Sequence, residues 1–441
     1  MAWSVPLRAS LPPWLTPRRP PQASCTTALS RQVALEAAVA ELARDLQRAG
    51  QRTTPRSEAD LALVFCSTAF ASDLPRLMPL LRQAIPSRHW IGCAGGGVVG
   101  TGSDGQPHEL EQQPAISVTL LHLPGCRLQP FRLPPGRLPD LDGPSQQWQD
   151  WVGAEPEGGH SMLLFVDPGC PAINDLISGL DYAYPEAIKV GGIAGQHSAS
   201  HGSLFLDGQV LDGAVGCLIS GAWRIDPVVA QGCRPIGPVF EIEQAERNVV
   251  QRLSHGDRQG TPVACLQAIL DTLTPDEREL VRHSLFLGVA KSSFQLGGAN
   301  STSGGNIADD SAFLVRNLIG VDPRTGSVAV GERLRVGQQV QFQLRDAAAS
   351  RQEQRQLLAR QRQGQPEPLA ALLFACLGRG EGLYGQADGD VQACREQFAA
   401  VPVAGAFCNG EIGPVGGATH LHGYTASWGF LVAHTPGTAE A

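Results

Sequence analysis

The residues of this sequence with the greatest chemical potential are concentrated near its C-terminal end. The stretch "VPVAGAFCNGEIGPVGGATHLHGYTAS" (401–427) holds a cysteine, a glutamate, two histidines and a tyrosine among several glycines. Glycines let backbone N–H groups approach a ligand closely, and ligands of open α/β sheets bind outside the carboxyl ends of strands. Because Glu411 lies where the apolar run "VPVAGAFC" meets its loop, the sequence predicts a small-ligand site there.

Arg379 is predicted to reach the same site from a neighbouring strand, since it follows another apolar run in "CLGRGEG". An arginine holds a carboxylate bidentately, and a carboxylate holds an ammonium. Arg379 and Glu411 together therefore suit the two charged ends of an amino acid. Two alternatives stay open at this point: the two side chains pair with each other, or Glu411 accepts hydrogen bonds from N–H groups of its own loop.

Two kinds of enzyme chemistry compete with ligand binding at this stretch. His420 and His422 share one side of a strand, and with Cys408 and Glu411 they offer metal-binding side chains. The sequence has no second spaced pair of ligands and no H-E-x-x-H motif. Cys408 could also act as a nucleophile beside the histidines, but it ends an apolar run, which favours a buried, inert thiol. We therefore predict no catalytic residue, no metal and no cofactor.

Further candidates follow from the glycine-rich exits of other predicted strands. "GCAGGGVVGTG" (92–102) lacks the lysine of a phosphate-binding loop, so it indicates a tight turn that could form one wall of the pocket. Arg316 is either a second arginine of the pocket or, as we favour, the partner of a nearby acid beside the turn that starts at Asp322. The candidate ligand-binding residues are Arg379, Glu411, Asn409, Gly410, Cys376, Cys408, His422, Tyr424, Cys66, Ser67, Gly95, Gly96, Gly192 and Arg316.

One local pattern occurs three times along the chain, at 61–97, 162–196 and 371–411. Each copy reads as a strand, a turn of small residues, a helix, a second strand and a glycine-rich loop. Two strands that flank a helix favour parallel pairing. The pattern therefore predicts three βαβ units whose loops lie at the carboxyl ends of their strands.

The remaining segments show more local patterns. Asp-Gly in "GSLFLDGQVLDGAVGCLISG" predicts a hairpin, and 313–346 reads as a second hairpin around "DPRTG" followed by a strand with Val340, Phe342 and Leu344 on one face. Ser30 is predicted to cap a helix over 31–49 with an apolar stripe that includes Val33. The segment 124–151 is predicted to be a proline-rich surface connection, and 350–368 an exposed helix and linker.

Composition narrows the class of protein. The 441 residues are 42% hydrophobic and 17% charged, with a formal net charge of −8, so neither a nucleic acid nor an anionic membrane surface is an expected partner. None of the eleven cysteines forms a C-x-x-C pair, and most lie in apolar runs. We interpret them as reduced core residues of a cytoplasmic protein. No apolar run approaches the length needed to span a bilayer.

These patterns predict an α/β protein of two closely packed halves, each with a mixed β-sheet covered by helices. The strand content leaves a layered, sheet-on-sheet arrangement open. The ordered C-terminal motifs, "FLVRNLIGVDPRTGSVAVGERLRVGQQVQFQLRD", "LLFACLGRG" and "FCNGEIGPVGGATHLHGYTAS", resemble the C-terminal domain of the FIST family. "ALSRQ", "IGCAGGGVVG" and "KVGGIAGQ" are similar to its N-terminal domain, so the resemblance covers roughly 28–433.

The resemblance implies a FIST N-terminal domain over 28–221 and a FIST C-terminal domain over 222–433, with tails at 1–27 and 434–441. The first tail reads equally as a targeting segment, a disordered extension or an early start. FIST domains are thought to be intracellular sensory modules that bind small ligands such as amino acids. We recognise no F-box or kinase segment, so we expect a stand-alone sensor that signals to a separate protein. The alternatives are a thiol- or metal-dependent enzyme and a protein-interaction scaffold without a small ligand.

Overall fold

The protein is described by a computed structural model over residues 22–53, 58–291, 313–364 and 366–434. Helices separate several runs of consecutive strands in these ranges. The strands are β1 (Ser24–Ser30), β2 (Ala59–Ser67), β3 (Ser87–Gly95), β4 (Gly97–Thr101), β5 (Pro107–Glu111), β6 (Ile116–His122), β7 (Cys126–Leu133), β8 (Gly159–Val166), β9 (Ile188–Ile193), β10 (Leu204–Leu206), β11 (Gln209–Leu211), β12 (Ala214–Gly221), β13 (Trp223–Ala230), β14 (Cys233–Pro235), β15 (Phe240–Glu246), β16 (Val249–His255), β17 (Arg258–Gly260), β18 (Leu285–Ala290), β19 (Phe313–Asp322), β20 (Ser327–Val330), β21 (Gln339–Arg345), β22 (Ala370–Cys376), β23 (Val403–Cys408), β24 (Glu411–Val415), β25 (Ala418–His422) and β26 (Ala426–Ala433). The α-helices are α1 (Leu35–Thr53), α2 (Leu74–Ala84), α3 (Ser145–Val152), α4 (Ile173–Ala183), α5 (Pro262–Leu270), α6 (Pro275–Ser284), α7 (Ala347–Gly364), α8 (Gly380–Tyr384) and α9 (Gly389–Gln397).

The three predicted βαβ units are present, and their strands pair in parallel as predicted. The first unit is β2–α2–β3, the second is β8–α4–β9, and the third is β22–α8–α9–β23. A later strand, β6, β12 or β26 in turn, pairs antiparallel with the first strand of each unit. The mixed α/β class predicted from the sequence is therefore confirmed.

Each unit also gives a hairpin to the sheet of another unit. After β3 the chain forms β4 and β5, and β4 pairs with β23 of the third unit. After β9 it forms β10 and β11, and β10 pairs with β3 of the first. After β23 it forms β24 and β25, and β24 pairs with β9 of the second. The exchange is cyclic, so the three units surround a common axis.

Backbone hydrogen bonds close this arrangement around the axis. In each unit an N–H group that follows the second strand donates to a carbonyl at the equivalent place in another unit. The three bonds are Gly96 to Phe407 (3.0 Å), Asn409 to Ile193 (3.0 Å) and Gly195 to Ala94 (2.8 Å). Three equivalent phenylalanines, Phe65, Phe165 and Phe374, also meet edge to face with ring centroids 5.4–6.0 Å apart.

Between β19 and β20 lies the predicted turn, and both strands belong to a further sheet. Its order is β14-β21-β15-β16-β20-β19-β18, and a pairing of β18 with β21 closes it into a barrel. Val340, Phe342 and Leu344 alternate inward on β21 and are buried, as predicted. The hairpin predicted at Asp207-Gly208, β10–β11, is also confirmed.

Four local predictions are corrected. Helix α1 begins at Leu35 and not after Ser30, because Ser30 ends β1 and its hydroxyl donates to Glu41. Val33 precedes the helix and is exposed. The segment 124–151 is not only a surface connection, since β7 pairs with β12 and Trp148 of α3 is fully buried. Helix α7 exists as predicted, but it is not simply exposed.

One face of α7 is buried against its neighbours. Ser350, Gln354 and Leu358 repeat at a spacing of four residues and are fully buried. The predicted first tail overlaps the structure, because β1 begins at Ser24; residues 1–21 and 435–441 lie outside the described residues. The predicted boundary at 222 stays a prediction, and strands from both sides of it share two of the sheets.

Candidate functional site

Arg379 is fully buried just after β22, where α8 begins. Its guanidinium forms a bidentate pair with Asp390, from Nε to Oδ2 at 2.8 Å and from Nη2 to Oδ1 at 2.7 Å. The remaining acceptors belong to Ser350, Gln354, Tyr384 and the Tyr424 carbonyl. The structure therefore pairs Arg379 with Asp390 and not with Glu411, and a ligand carboxylate would have to displace Asp390 to reach it.

Arg379 and Asp390 form a buried ion pair in which each charge is offset by the other. Burial favours loss of the arginine charge, but Asp390, Tyr384 and Glu353 together outweigh burial and hold the pKa of Arg379 well above its ordinary value. Sequence reasoning missed Asp390, because an acid in the first turn of a helix is usually read as a helix-dipole or capping residue. We interpret Arg379 as an organiser of the site, since its Nη1 donates to the Tyr424 carbonyl at 3.2 Å.

Glu411 is fully buried at the start of β24. Its Oε2 accepts a hydrogen bond from the Thr425 N–H at 3.1 Å, which is a backbone group of the connection between β25 and β26 and not of the loop that precedes Glu411. Its Oε1 has no nitrogen or oxygen partner among the described residues. Burial raises the pKa of Glu411 well above its ordinary range. A cation bound beside this carboxyl would favour its charged form and so oppose the rise in its pKa.

Cys376 ends β22 beside Glu411. Burial and the Glu411 carboxyl raise the pKa of this thiol to about 11, so it is protonated at neutral pH. The residue remains partly exposed, and the next residue, Leu377, is 45% exposed. The carboxyl end of the third unit therefore combines a buried acid with a surface that solvent can reach.

The Tyr424 ring lies against Gly378, two residues after Cys376. Tyr424 has a positive φ of 63°, which is uncommon for a bulky residue, and its ring packs edge-on against Phe286 of the barrel with centroids 4.7 Å apart. The guanidinium carbon of Arg345 lies 4.3 Å from the Tyr424 ring centroid. The sequence analysis did not identify Arg345. Arg345 ends β21, so the rule that selected Arg379, an arginine at the end of an apolar strand, would also have selected it.

Six of the predicted residues are brought together at the common axis. A Cβ atom on Gly192 would lie 2.6 Å from Cys408 Sγ, and one on Gly96 would overlap Leu377. Asn409 is exposed, and its side-chain amide donates to the Ala194 carbonyl at 3.0 Å. The six residues are Gly95, Gly96, Gly192, Cys408, Asn409 and Gly410.

Three further predicted residues have structural partners away from Glu411. Cys66 and Ser67 end β2 and are buried, and the Ser67 hydroxyl accepts the Ala115 N–H at 3.1 Å. Arg316 pairs with Glu332, as the favoured interpretation predicted, and donates to the Leu421 carbonyl at 3.0 Å. It therefore lies against β25 and does not join Arg379.

His422 and Cys408 provide no reactive pair in this arrangement. His422 is buried with Nε2 3.0 Å from the Gly413 carbonyl, and burial lowers its pKa to about 3, so the ring is neutral and Nε2 donates. Burial raises the pKa of the Cys408 thiol well above its ordinary value. Within the described ranges, no group of three or more histidine, cysteine or acidic side chains is placed to hold a metal ion.

Comparison with known proteins places the chain in a family. The FIST N domain matches residues 60–256, and the FIST C domain matches residues 263–414. The chain belongs to the FIST family. This FIST protein is 33% identical over 384 residues to uncharacterized protein Rv0628c of Mycobacterium tuberculosis (strain H37Rv), a match that covers 84% of this chain and 91% of that protein.

Two further similarities extend over most of the chain. Uncharacterized protein Mb0898c of Mycobacterium bovis is 33% identical over 411 residues, covering 92% of the FIST protein and 97% of the relative. A crystal structure of cyanuric acid hydrolase from A. caulinodans aligns over 94% of this chain and 100% of that one, with 9% identity and a TM-score of 0.32.

In the part of the chain that is described, no helix combines the length and apolarity needed to cross a membrane.

Proposed function

We propose that this FIST protein is a cytoplasmic sensory module that binds a small ligand and relays its presence to a signalling partner protein. FIST domains are generally regarded as small-ligand-binding sensory domains in signalling. The observation that carries the proposal is the Glu411 carboxyl, which is fully buried with one oxygen unpartnered among the described residues. A buried polar atom without a partner is costly, and a bound ligand would remove that cost.

The ligand we propose is an amino acid or a related zwitterionic metabolite. An ammonium group placed against Glu411 would stabilise its ionised form and supply the missing hydrogen bond. Cys376 and Tyr424 are partly exposed and lie at the carboxyl end of β22, the end of a strand where α/β proteins commonly bind ligands. All eleven cysteines are free thiols, which supports a reducing compartment such as the cytoplasm.

Signal relay would use the contact between the third unit and the barrel. Arg345 and Phe286 belong to barrel strands, whereas Cys376 and Glu411 belong to the third unit and its hairpin. A ligand held between them would favour one relative arrangement of the two parts and shift the population toward it. A partner protein that recognises that arrangement would then sense ligand concentration.

The test is a thermal-shift screen of the purified chain against the standard amino acids and a library of common metabolites. A ligand that binds only the native state adds RT ln(1 + [L]/Kd), about 2.7 kcal/mol at a hundredfold excess over Kd. We expect at least one compound to raise the melting temperature in a dose-dependent manner without being consumed. No shift with any compound would contradict the proposal, and turnover of the bound compound would favour an enzyme.

A further inference from the structure

Arg345 is an arginine whose binding capacity is largely unused. Its Nη1 donates to the Gly378 carbonyl at 2.7 Å, but its Nε is buried without a partner and no carboxylate of the described residues lies within ion-pair distance. By contrast, the fully buried Arg379 and the partly buried Arg316 each pair with an acid. The guanidinium has five donors in a fixed fork, and its Nε–Nη2 edge makes no hydrogen bond to the described part of the chain.

Tyr424 holds this guanidinium in one orientation. The ring lies under the Arg345 guanidinium at 4.3 Å and is supported edge-on by Phe286. The Tyr424 backbone is fixed in its positive-φ conformation by the bond from Arg379 to its carbonyl. Such strained conformations persist only where the surroundings impose them, and they cluster at ligand sites. Stacking on the face of an aromatic ring leaves the edge of a guanidinium available for a planar, bidentate anion.

We infer that Arg345, stacked on Tyr424, is the anchor for the carboxylate of an amino-acid ligand. This inference rests on the proposed function and names the group that recognises one end of the ligand. Hydrogen bonds connect Cys376 to both charged groups: its Sγ accepts the Gly378 N–H, whose carbonyl accepts Arg345. On the other side, the Cys376 N–H donates to the Thr425 carbonyl, and the Thr425 N–H donates to Glu411. The two charged ends of a small zwitterion would therefore have partners on either side of Cys376. Arg379, which the sequence predicted to bind the carboxylate, instead donates to the Tyr424 carbonyl and fixes the residue on which Arg345 is stacked.

The experiment compares each standard amino acid with its α-carboxamide by isothermal titration calorimetry on the full chain. Arg345→Met removes the charge and the fork, and Arg345→Lys retains the charge but loses the fork. Arg335→Met is the matched control, because Arg335 is an exposed arginine of the same barrel region without an ion pair in the described ranges. Circular dichroism confirms that each variant is folded.

We expect the wild type to bind an amino acid about 10- to 100-fold more tightly than its carboxamide, the range for hydrogen bonds to a charged group. Arg345→Met should lose affinity by a similar factor, Arg345→Lys by less, and Arg335→Met should bind like the wild type. Equal binding of the acid and the carboxamide, or wild-type affinity in both Arg345 variants, would overturn the inference and leave the proposed function standing. If the only ligand found lacks a carboxylate, the role of Arg345 is contradicted but the proposed function is not. If no compound in the library binds, both are contradicted.

Discussion

In the first and third units, the first parallel strand ends against a neighbouring backbone segment, and different side chains accept the N–H group of that segment. In the first unit, the Ala115 carbonyl accepts the Ser67 N–H, and the Ala115 N–H donates to the Ser67 hydroxyl. In the third unit, the Thr425 carbonyl accepts the Cys376 N–H in the same way. The Thr425 N–H, however, donates to the carboxyl of Glu411 on another strand.

This difference lies at the site that we propose for ligand binding. A hydroxyl satisfies a buried N–H at low cost, as Ser67 does, whereas a buried carboxyl is expensive to desolvate. The third unit has a thiol where the first has the hydroxyl, and it adds two buried charged groups, Arg379 and Asp390. Perturbed titratable groups in a crevice are typical of functional sites. The backbone arrangement that the units share accounts for the fold. The side chains that differ in the third unit form the candidate site.

The largest expected effect comes from the Arg379–Asp390 pair of the third unit, in which both side chains are fully buried. Asp390→Ala leaves the Arg379 charge buried and unpaired, so we expect a loss of about 3–5 kcal/mol in the free energy of unfolding. Glu396→Ala is the control, because it breaks the exposed Arg355–Glu396 pair and should cost about 0–1 kcal/mol. Denaturant titration measures both. A loss for Asp390→Ala no larger than that of the control would remove the proposed organising role of the pair.

The part that the three units share can be tested at one glycine in each. A Cβ atom on Gly92, Gly191 or Gly405 would lie 1.7–1.8 Å from a backbone carbonyl oxygen of the paired strand. We expect each glycine-to-alanine substitution to cost about 3 kcal/mol, because the backbone must move to admit the methyl group. Gly382→Ala, with no atom near its Cβ position, is the control. Clearly unequal losses among the three would show that the units are not equivalent.

A smaller effect is expected from the titration of Glu411. Burial raises its pKa above the ordinary value of 4.5, so the unfolded chain ionises this group first. The stability associated with the protonated form is complete below pH 4.5 and is lost as the pH rises toward the raised pKa, by up to about 1.4 kcal/mol per pH unit. Relative to Glu411→Gln, the wild type should therefore become less stable between pH 4.5 and pH 8. A difference that does not change with pH would contradict burial of an uncompensated carboxyl.

The smallest effect concerns the exchange of thiol for hydroxyl between the two strand ends. Cys376→Ser gives the third unit the hydroxyl of the first, which can accept the Thr425 N–H in place of Glu411. We expect Glu411→Gln to cost less in that background, with a coupling free energy of about 0.5–1 kcal/mol in a double-mutant cycle. Strictly additive effects would show that residues 376 and 411 do not share this N–H group.

Local patterns were enough to predict the three βαβ units, because each is formed by residues close together in sequence. The cyclic exchange of hairpins was not predictable, since the pairing of β4 with β23 joins residues about three hundred positions apart. The same limit applies to the site. Glu411 was found from its strand end, but its relation to Tyr424 and Arg345, and the Asp390 partner of Arg379, depend on tertiary contacts that no single-sequence pattern encodes.

The most direct test of the ligand site compares one residue at each of the two strand ends. Tyr424→Asn removes the aromatic platform of the third unit while keeping a residue that tolerates positive φ, and Ser67→Ala alters the equivalent end of the first unit. Each is compared with the wild type by thermal shift with the compound that stabilises it. We predict that Ser67→Ala retains the ligand-induced shift and that Tyr424→Asn loses it. A shift that survives in Tyr424→Asn, or that disappears in Ser67→Ala, would contradict a ligand site at the carboxyl end of the third unit.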